Sequence, residues 1–202
     1  EYNLRIGILP TTASQIEDVV WIDTGKPGGV VHPLNSWEDH DESIVIWTPV
    51  CDNLALDLDS DEINVFRMVE FRLDPVAGTV LSEHVIANSP NIEFSVVPQM
   101  GRFTRFGYTA IQDPSTPGEG SFAGFCVWDM AEGKLYKTVY YENGEVGGEP
   151  MLLKSPNKVY VGVYQQRGDH DSFFCIYDGM STDLVARLQM PSRVPFGFHG
   201  LW

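Results

Sequence analysis

Runs rich in Val, Ile, Phe, Tyr and Trp recur along this chain, alternate with polar residues, and are cut by Gly, Pro, Asn and Asp. That is the strand period of two; helix signals are almost absent. The pattern predicts strands over 19–23, 28–38, 43–50, 65–73, 79–86, 106–111, 122–130, 134–142, 157–166, 172–178 and 184–190. The fold class is all-β.

The strands repeat. VEFRLDPVAGTVLSEHVI, FCVWDMAEGKLYKTVYY and FCIYDGMSTDLVARLQM share one shape: an apolar strand, an aspartate, a short turn and a second strand. The markers are Asp74, Asp129 and Asp178, spaced by 55 and 49 residues. Each segment reads as a hairpin whose aspartate caps the turn with its own side chain, with Gly78 or Gly133 supplying a positive φ. A repeat of about 50 residues with several strands is the period of a β-propeller blade, against unrelated hairpins in a sandwich as the other reading. At that period the chain holds about four blades at most, and three have a clear outer hairpin. LRIGILPTTASQIEDVVWID reads as a blade already under way. The sequence thus looks like the C-terminal part of something longer.

Composition narrows the class. The chain has 202 residues, 43% hydrophobic and 20% charged, enough for a sizeable core. A net charge of −15 repels phosphate backbones, so no nucleic-acid partner is expected. Cys51, Cys126 and Cys175 are odd in number and widely spaced. They read as buried thiols rather than a disulfide framework or a cysteine zinc site. DLDSDEINVFRM starts like a calcium loop, with Asp57, Asp59 and Asp61 in phase, but Glu62 replaces the turn glycine and Met68 the closing glutamate. Calcium is rejected there.

The five histidines form no local metal motif. His40 and His170 lie in acidic turns, and His84 alternates along a strand as a surface residue. His32 in GGVVHPLNSWE and His199 in PFGFHG differ: both sit in apolar, Gly-rich surroundings, where an imidazole needs a partner. Each reads as a satisfied core histidine or as a metal ligand, because inner strands of a propeller bring distant residues together on the axis. Metal-bound imidazole usually gives its second N–H to a carboxylate. Glu93 in PNIEFSVV and Glu149 in VGGEPMLL stand in similar settings and read as such partners or as structural acids.

In order, GGVVHPLNSWED, NIEFSVVPQMGRFTRFGYTA, VGGEPMLL and RVPFGFHGLW resemble the C-terminal half of the carotenoid cleavage dioxygenases. RIGILP resembles that family's segment just ahead of its third ligand histidine. The resemblance covers essentially the whole chain. It implies a seven-bladed propeller with one non-haem Fe(II) on its axis, held by four histidines, three of them oriented by glutamates. It makes His32 the third ligand and His199 the fourth, with Glu93 expected to orient His32 and Glu149 to orient His199. The remaining ligands are expected upstream, so residues 1–202 are expected to be the last three to four blades of a single propeller domain.

The implied activity is cleavage of a conjugated C=C bond of a carotenoid or apocarotenoid by O2, giving aldehyde or ketone products, with a stilbene as second-choice substrate. A lipophilic polyene, peripheral membrane contact, and a plastid location in a plant (otherwise cytoplasm or membrane periphery) follow from the same resemblance. The rival expectation is an inactive propeller serving as an interaction scaffold or carotenoid carrier. Three departures mark a divergent branch. Thr11 follows Pro10 where arginine is frequent, Glu93 is followed by FSVVP rather than FPRIN, and Pro33 follows His32.

Overall fold

The computed structural model describes residues 3–54, 64–112, 122–142, 144–168 and 171–195. His170, His199 and the rejected calcium-loop aspartates lie outside them. Among the described residues the one helical element is a 3-10 turn, Ile16–Asp18. The rest of the regular structure is strand, in four antiparallel sheets that follow one another along the chain.

β1 (Asn3–Ile8) and β2 (Val20–Pro27) form a two-stranded sheet. β3 (Asn35–Glu38), β4 (Ile44–Val50), β5 (Arg67–Asp74) and β6 (Thr79–Val85) pair in sequence order, as do β7 (Ile92–Val96), β8 (Phe106–Ile111), β9 (Gly124–Asp129) and β10 (Lys134–Tyr140). In the last sheet, β11 (Val146–Gly147) and β12 (Met151–Ser155) both pair with β13 (Lys158–Arg167), followed by β14 (Asp171–Asp178) and β15 (Leu184–Gln189). These three meanders are propeller blades. In each, the first strand is the more buried edge and the last, β6, β10 or β15, is largely exposed.

The strands alternate between two cores. On β9, Cys126 and Trp128 pack toward the β3–β6 sheet, while Phe125 and Val127 pack toward the β11–β15 sheet. On β4, Val45 and Trp47 join the first of these cores, whereas Ile44 and Ile46 turn to β1 and β2. Consecutive sheets therefore share a core, and a middle strand is apolar on both faces, as the near-continuous run GFCVWD requires. The buried indoles keep their N–H groups satisfied: Trp128 donates to the Thr109 hydroxyl at 2.8 Å and Trp47 to the Glu70 carboxylate at 2.7 Å. All three cysteines are free and buried, and desolvation pushes the Cys126 thiol up to about 12.

The outer hairpins have the expected turn chemistry. Asp74 accepts from the Val76 and Ala77 N–H groups, Asp129 from Ala131 and Glu132, and Asp178 from Met180 and Ser181. Gly78 and Gly133 supply φ of 66° and 64°. The third turn lacks a glycine there and puts Thr182 at 64°.

Each of the eleven expected strands has a counterpart, with one large difference. The expected 28–38 strand is a strand only over Asn35–Glu38. β1, β7, β11 and β12 were not among the expected strands. Of these, β7 is five residues broken by a bulge after its second, and β11 and β12 are short pieces of one interrupted edge, so too few regular positions are left for a period-two pattern.

The Asp178 turn makes a pH-dependent contribution. Hydrogen bonds from the Ser181 and Met180 N–H groups, then from Lys158, lower its carboxyl from 3.8 to about 2. A depressed carboxyl stabilises the fold above its unfolded value and loses that contribution as pH falls through the folded one. Asp178→Asn is expected to flatten the decline of the thermal midpoint between pH 3.8 and about 2; equal slopes for variant and wild type would count against this.

Candidate metal centre

His32 stands on an arch. Gly29 and Cys51 exchange both backbone hydrogen bonds, at 2.9 and 3.1 Å, and the Leu34 N–H reaches the Trp47 carbonyl at 2.9 Å. The six steps from Gly29 to Asn35 face only four from Cys51 to Trp47, so the chain between rises off the sheet. Glycine is required at the foot of the arch: a Cβ on Gly29 would lie 2.4 Å from the Leu54 Cβ. Pro33 biases His32 toward an extended backbone.

The next blade meets this arch with a bulge. Glu93 pairs with Ala110 and Ser95 with Thr109, leaving Phe94 as the surplus residue, at a φ of 52°. That is the left-handed region, unusual for a bulky side chain. The Glu93 carboxylate lies 2.5 Å from His32 Nδ1, accepts from the Phe94 N–H at 2.9 Å, and receives a longer 3.4 Å contact from the His32 N–H. A carboxylate accepts, so Nδ1 is the donor here, and Nε2 is the nitrogen left to face a metal. The Phe94 ring packs against the imidazole at 4.5 Å and 31°. The Glu93 side chain is 4% exposed and that of His32 is 32% exposed. The acid is thus enclosed, while the ring reaches more open space.

Glu149 occupies a third irregularity. Gly147 pairs with Gln165 and Met151 with Gly162, so four steps face three and Gly148–Glu149–Pro150 leave the ladder. Glu149 is buried. Its segment is fixed on both sides: Gly147 exchanges hydrogen bonds with Phe122 at 2.8 and 2.9 Å, and the Gly148 N–H reaches the Tyr164 carbonyl at 2.8 Å. Phe122 also meets the Phe94 ring edge-on at 5.1 Å. A continuous path of contacts therefore runs from His32 through Phe94 and Phe122 to the backbone beside Glu149.

Upstream, Glu145 anchors the same segment. It is buried and takes hydrogen bonds from Arg167 at 2.6 and 2.9 Å and from Arg187 at 2.7 and 3.0 Å. Burial pushes its carboxyl up, but the bonds from Arg187 and Arg167 outweigh this and leave it lowered. Arg187 lies over the Phe173 ring at 3.6 Å.

Among the candidates, His32 and Glu93 are brought into direct contact, and the contacts of Phe94 and Phe122 reach the Gly147 backbone two residues before Glu149. His199 lies outside the described residues. His40 and His84 are exposed, as their patterns suggest. Among the described residues no three His, Cys, Asp or Glu side chains form a metal-sized cluster. Phe94, Ser95 and Phe122 escaped the sequence reading, because a bulge and a distant ring contact leave no periodic trace. A donor set of imidazole plus hydrogen-bonded carboxylate suits a divalent metal such as iron, with the carboxylate fixing tautomer and orientation.

Known proteins agree with this architecture. The family of the retinal pigment epithelial membrane protein matches residues 1–202, and the chain belongs to that family, the carotenoid oxygenases. It is 30% identical over 216 residues to the 9-cis-epoxycarotenoid dioxygenase NCED2, chloroplastic, of Oryza sativa subsp. japonica, covering 98% of this chain and 36% of that protein. It is 28% identical over 221 residues to the zeaxanthin 7,8(7',8')-cleavage dioxygenase, chromoplastic, of Crocus sativus, covering 98% of this chain and 57% of that protein. The chain therefore spans between about a third and somewhat over half of these relatives' length. The crystal structure of cobalt-substituted Synechocystis apocarotenoid oxygenase superposes with a TM-score of 0.78 at 20% identity, over 98% of this chain and 43% of that one.

The break carrying Glu149 depends on a close approach. A Cβ on Gly147 would lie 2.5 Å from Tyr141 Cε2 and 3.0 Å from Val163 Cγ1. Gly147→Ala is expected to destabilise the protein by about 1–3 kcal/mol, read as a lower denaturant midpoint. An unchanged midpoint would mean that Tyr141 moves aside freely.

Proposed function

We propose that this chain supplies the C-terminal blades and half of the metal site of an iron-dependent dioxygenase that cleaves a conjugated double bond of a carotenoid or apocarotenoid with O2. The observation that carries this reading is the His32–Glu93 pair, an imidazole held at Nδ1 by an enclosed carboxylate on the neighbouring blade. Nothing in the packing of a β core calls for that pair at the crown of an arch. It is the arrangement that turns a histidine's Nε2 toward a metal.

In this reading His32 and His199 are ligands, and Glu93 and Glu149 hold the ligand rings. Two further histidines and a third glutamate come from upstream blades of the same propeller domain. Iron held by these histidines would supply the binding and activation of O2. The chain's own residues do the rest. Glu93 keeps the proton on His32 Nδ1, Phe94 covers one face of the ring, and Phe94 with Phe122 forms an apolar wall that excludes water and suits a polyene. A plastid setting, and contact with a membrane from which a lipophilic substrate is drawn, belong to the same proposal; plant relatives carry chloroplastic and chromoplastic in their names. The scaffold or carrier alternative gives the His32–Glu93 pair no task.

The test is iron per polypeptide in the full-length protein after anaerobic Fe(II) loading. The wild type should hold close to one iron, and His32→Ala and His199→Ala should each abolish retention and cleavage. Glu149→Gln should weaken retention by roughly 10- to 100-fold. A folded wild type that binds no iron, or turnover that survives His32→Ala, would sink the reading.

A further inference from the structure

We propose that Ser95 is a positioning residue for His32, acting through the histidine's main chain; this rests on the metal reading above. The Ser95 hydroxyl donates to the His32 carbonyl at 3.0 Å, between two adjacent blades. Three consecutive residues of β7 thereby address one histidine. Glu93 holds Nδ1, Phe94 covers the ring face, and Ser95 holds the carbonyl.

A regular strand forbids this, because neighbouring side chains leave on opposite faces. In a regular strand Glu93 and Ser95, two residues apart, share a face and Phe94 leaves on the other; the bulge at Phe94 breaks that alternation, and all three side chains reach the arch. The strained φ of Phe94 is the local expense of that convergence.

The three contacts are not redundant. A ring held only at Nδ1 can pivot about that atom, and the pivot sweeps Nε2 through space. Fixing the carbonyl anchors the His32 backbone, so that the ring, held at Nδ1, swings from a Cα that can no longer drift. Pro33 restricts the same peptide from the other side by confining the residue before it to extended backbone. The two departures at His32–Pro33 and Glu93–Phe94–Ser95 therefore meet at one carbonyl oxygen: Pro33 limits which way it points and Ser95 binds it there.

The experiment uses the full-length protein loaded with Co(II), whose visible absorption bands report ligand geometry, alongside Co(II) affinity and the thermal midpoint of the metal-free protein. Ser95→Ala should shift the bands and weaken affinity about 10-fold, with the metal-free midpoint little changed. Ser95→Thr, which keeps the hydroxyl, should restore both. Wild-type bands and affinity in Ser95→Ala, while Glu93→Gln weakens binding, would overturn this proposal alone. Loss in Ser95→Ala that Ser95→Thr does not restore would assign the effect to packing and overturn it too. If His32→Ala and Glu93→Gln also leave Co(II) affinity unchanged, the metal reading falls and this proposal with it.

Discussion

A β-strand gives up ladder positions when a side chain must leave its natural alternation, and this chain does so along the inner edge of each of the three meanders. Two surplus residues lift His32 on an arch, one places Glu93 and Ser95 around Phe94, and one frees Glu149 from the ladder. The irregularities sit at the buried edge, and contacts link them from His32 through Phe94 to Phe122 and the Gly147 backbone. The middle strands hold the sheets together, and the outer hairpins confine their own register shifts to the end beside the turn. Each blade thus has an irregular inner edge, and the described candidate residues lie on those edges: His32 on the arch before β3, Glu93 on β7, and Glu149 in the break between β11 and β12.

Stabilisation is distributed to match. Between sheets, the interleaved apolar faces of β4, β5, β8, β9, β13 and β14 make continuous cores. Around the irregular strands, where ladder bonds are missing, polar groups take over. Asn35 accepts the Gly101 N–H and donates to the Arg102 carbonyl. Gln166 donates to the Val194 carbonyl, and Glu145 gathers two arginines. Removing one partner from a buried ion pair of this kind costs about 3–5 kcal/mol when both charges are enclosed. Here Arg167 is 48% exposed and water tempers the figure.

Legibility from sequence followed the same divide. The outer hairpins were readable because one aspartate caps each turn and the register shift of each pair lies close to that turn, leaving the rest of the strands in phase; Asp74, Asp129 and Asp178 all make the expected pair of backbone contacts. β7 was not readable, since it is only five residues long and Phe94 interrupts it after the second, leaving no run of regular alternation. The segment from Gly28 to Leu34 looked like a strand for the opposite reason: its composition is strand-like, but the surplus over the facing strand is a property of the pair. His32 and Glu93 could be singled out by their apolar surroundings and by resemblance. That Ser95 reaches the His32 carbonyl could not, because a contact between residues 63 apart has no signature in either segment.

That separation also bears on how the molecule assembles. Each blade is a meander whose pairings close over short stretches of chain and need little loop-closure entropy. The His32–Glu93 contact joins residues 61 apart and exists only once one sheet has docked on the next. A chain with every hairpin formed but the sheets misaligned by a single residue would keep its far-ultraviolet circular dichroism and most of its buried area, and would have no site at all. Correct docking, rather than secondary structure, is the event that creates the chemistry.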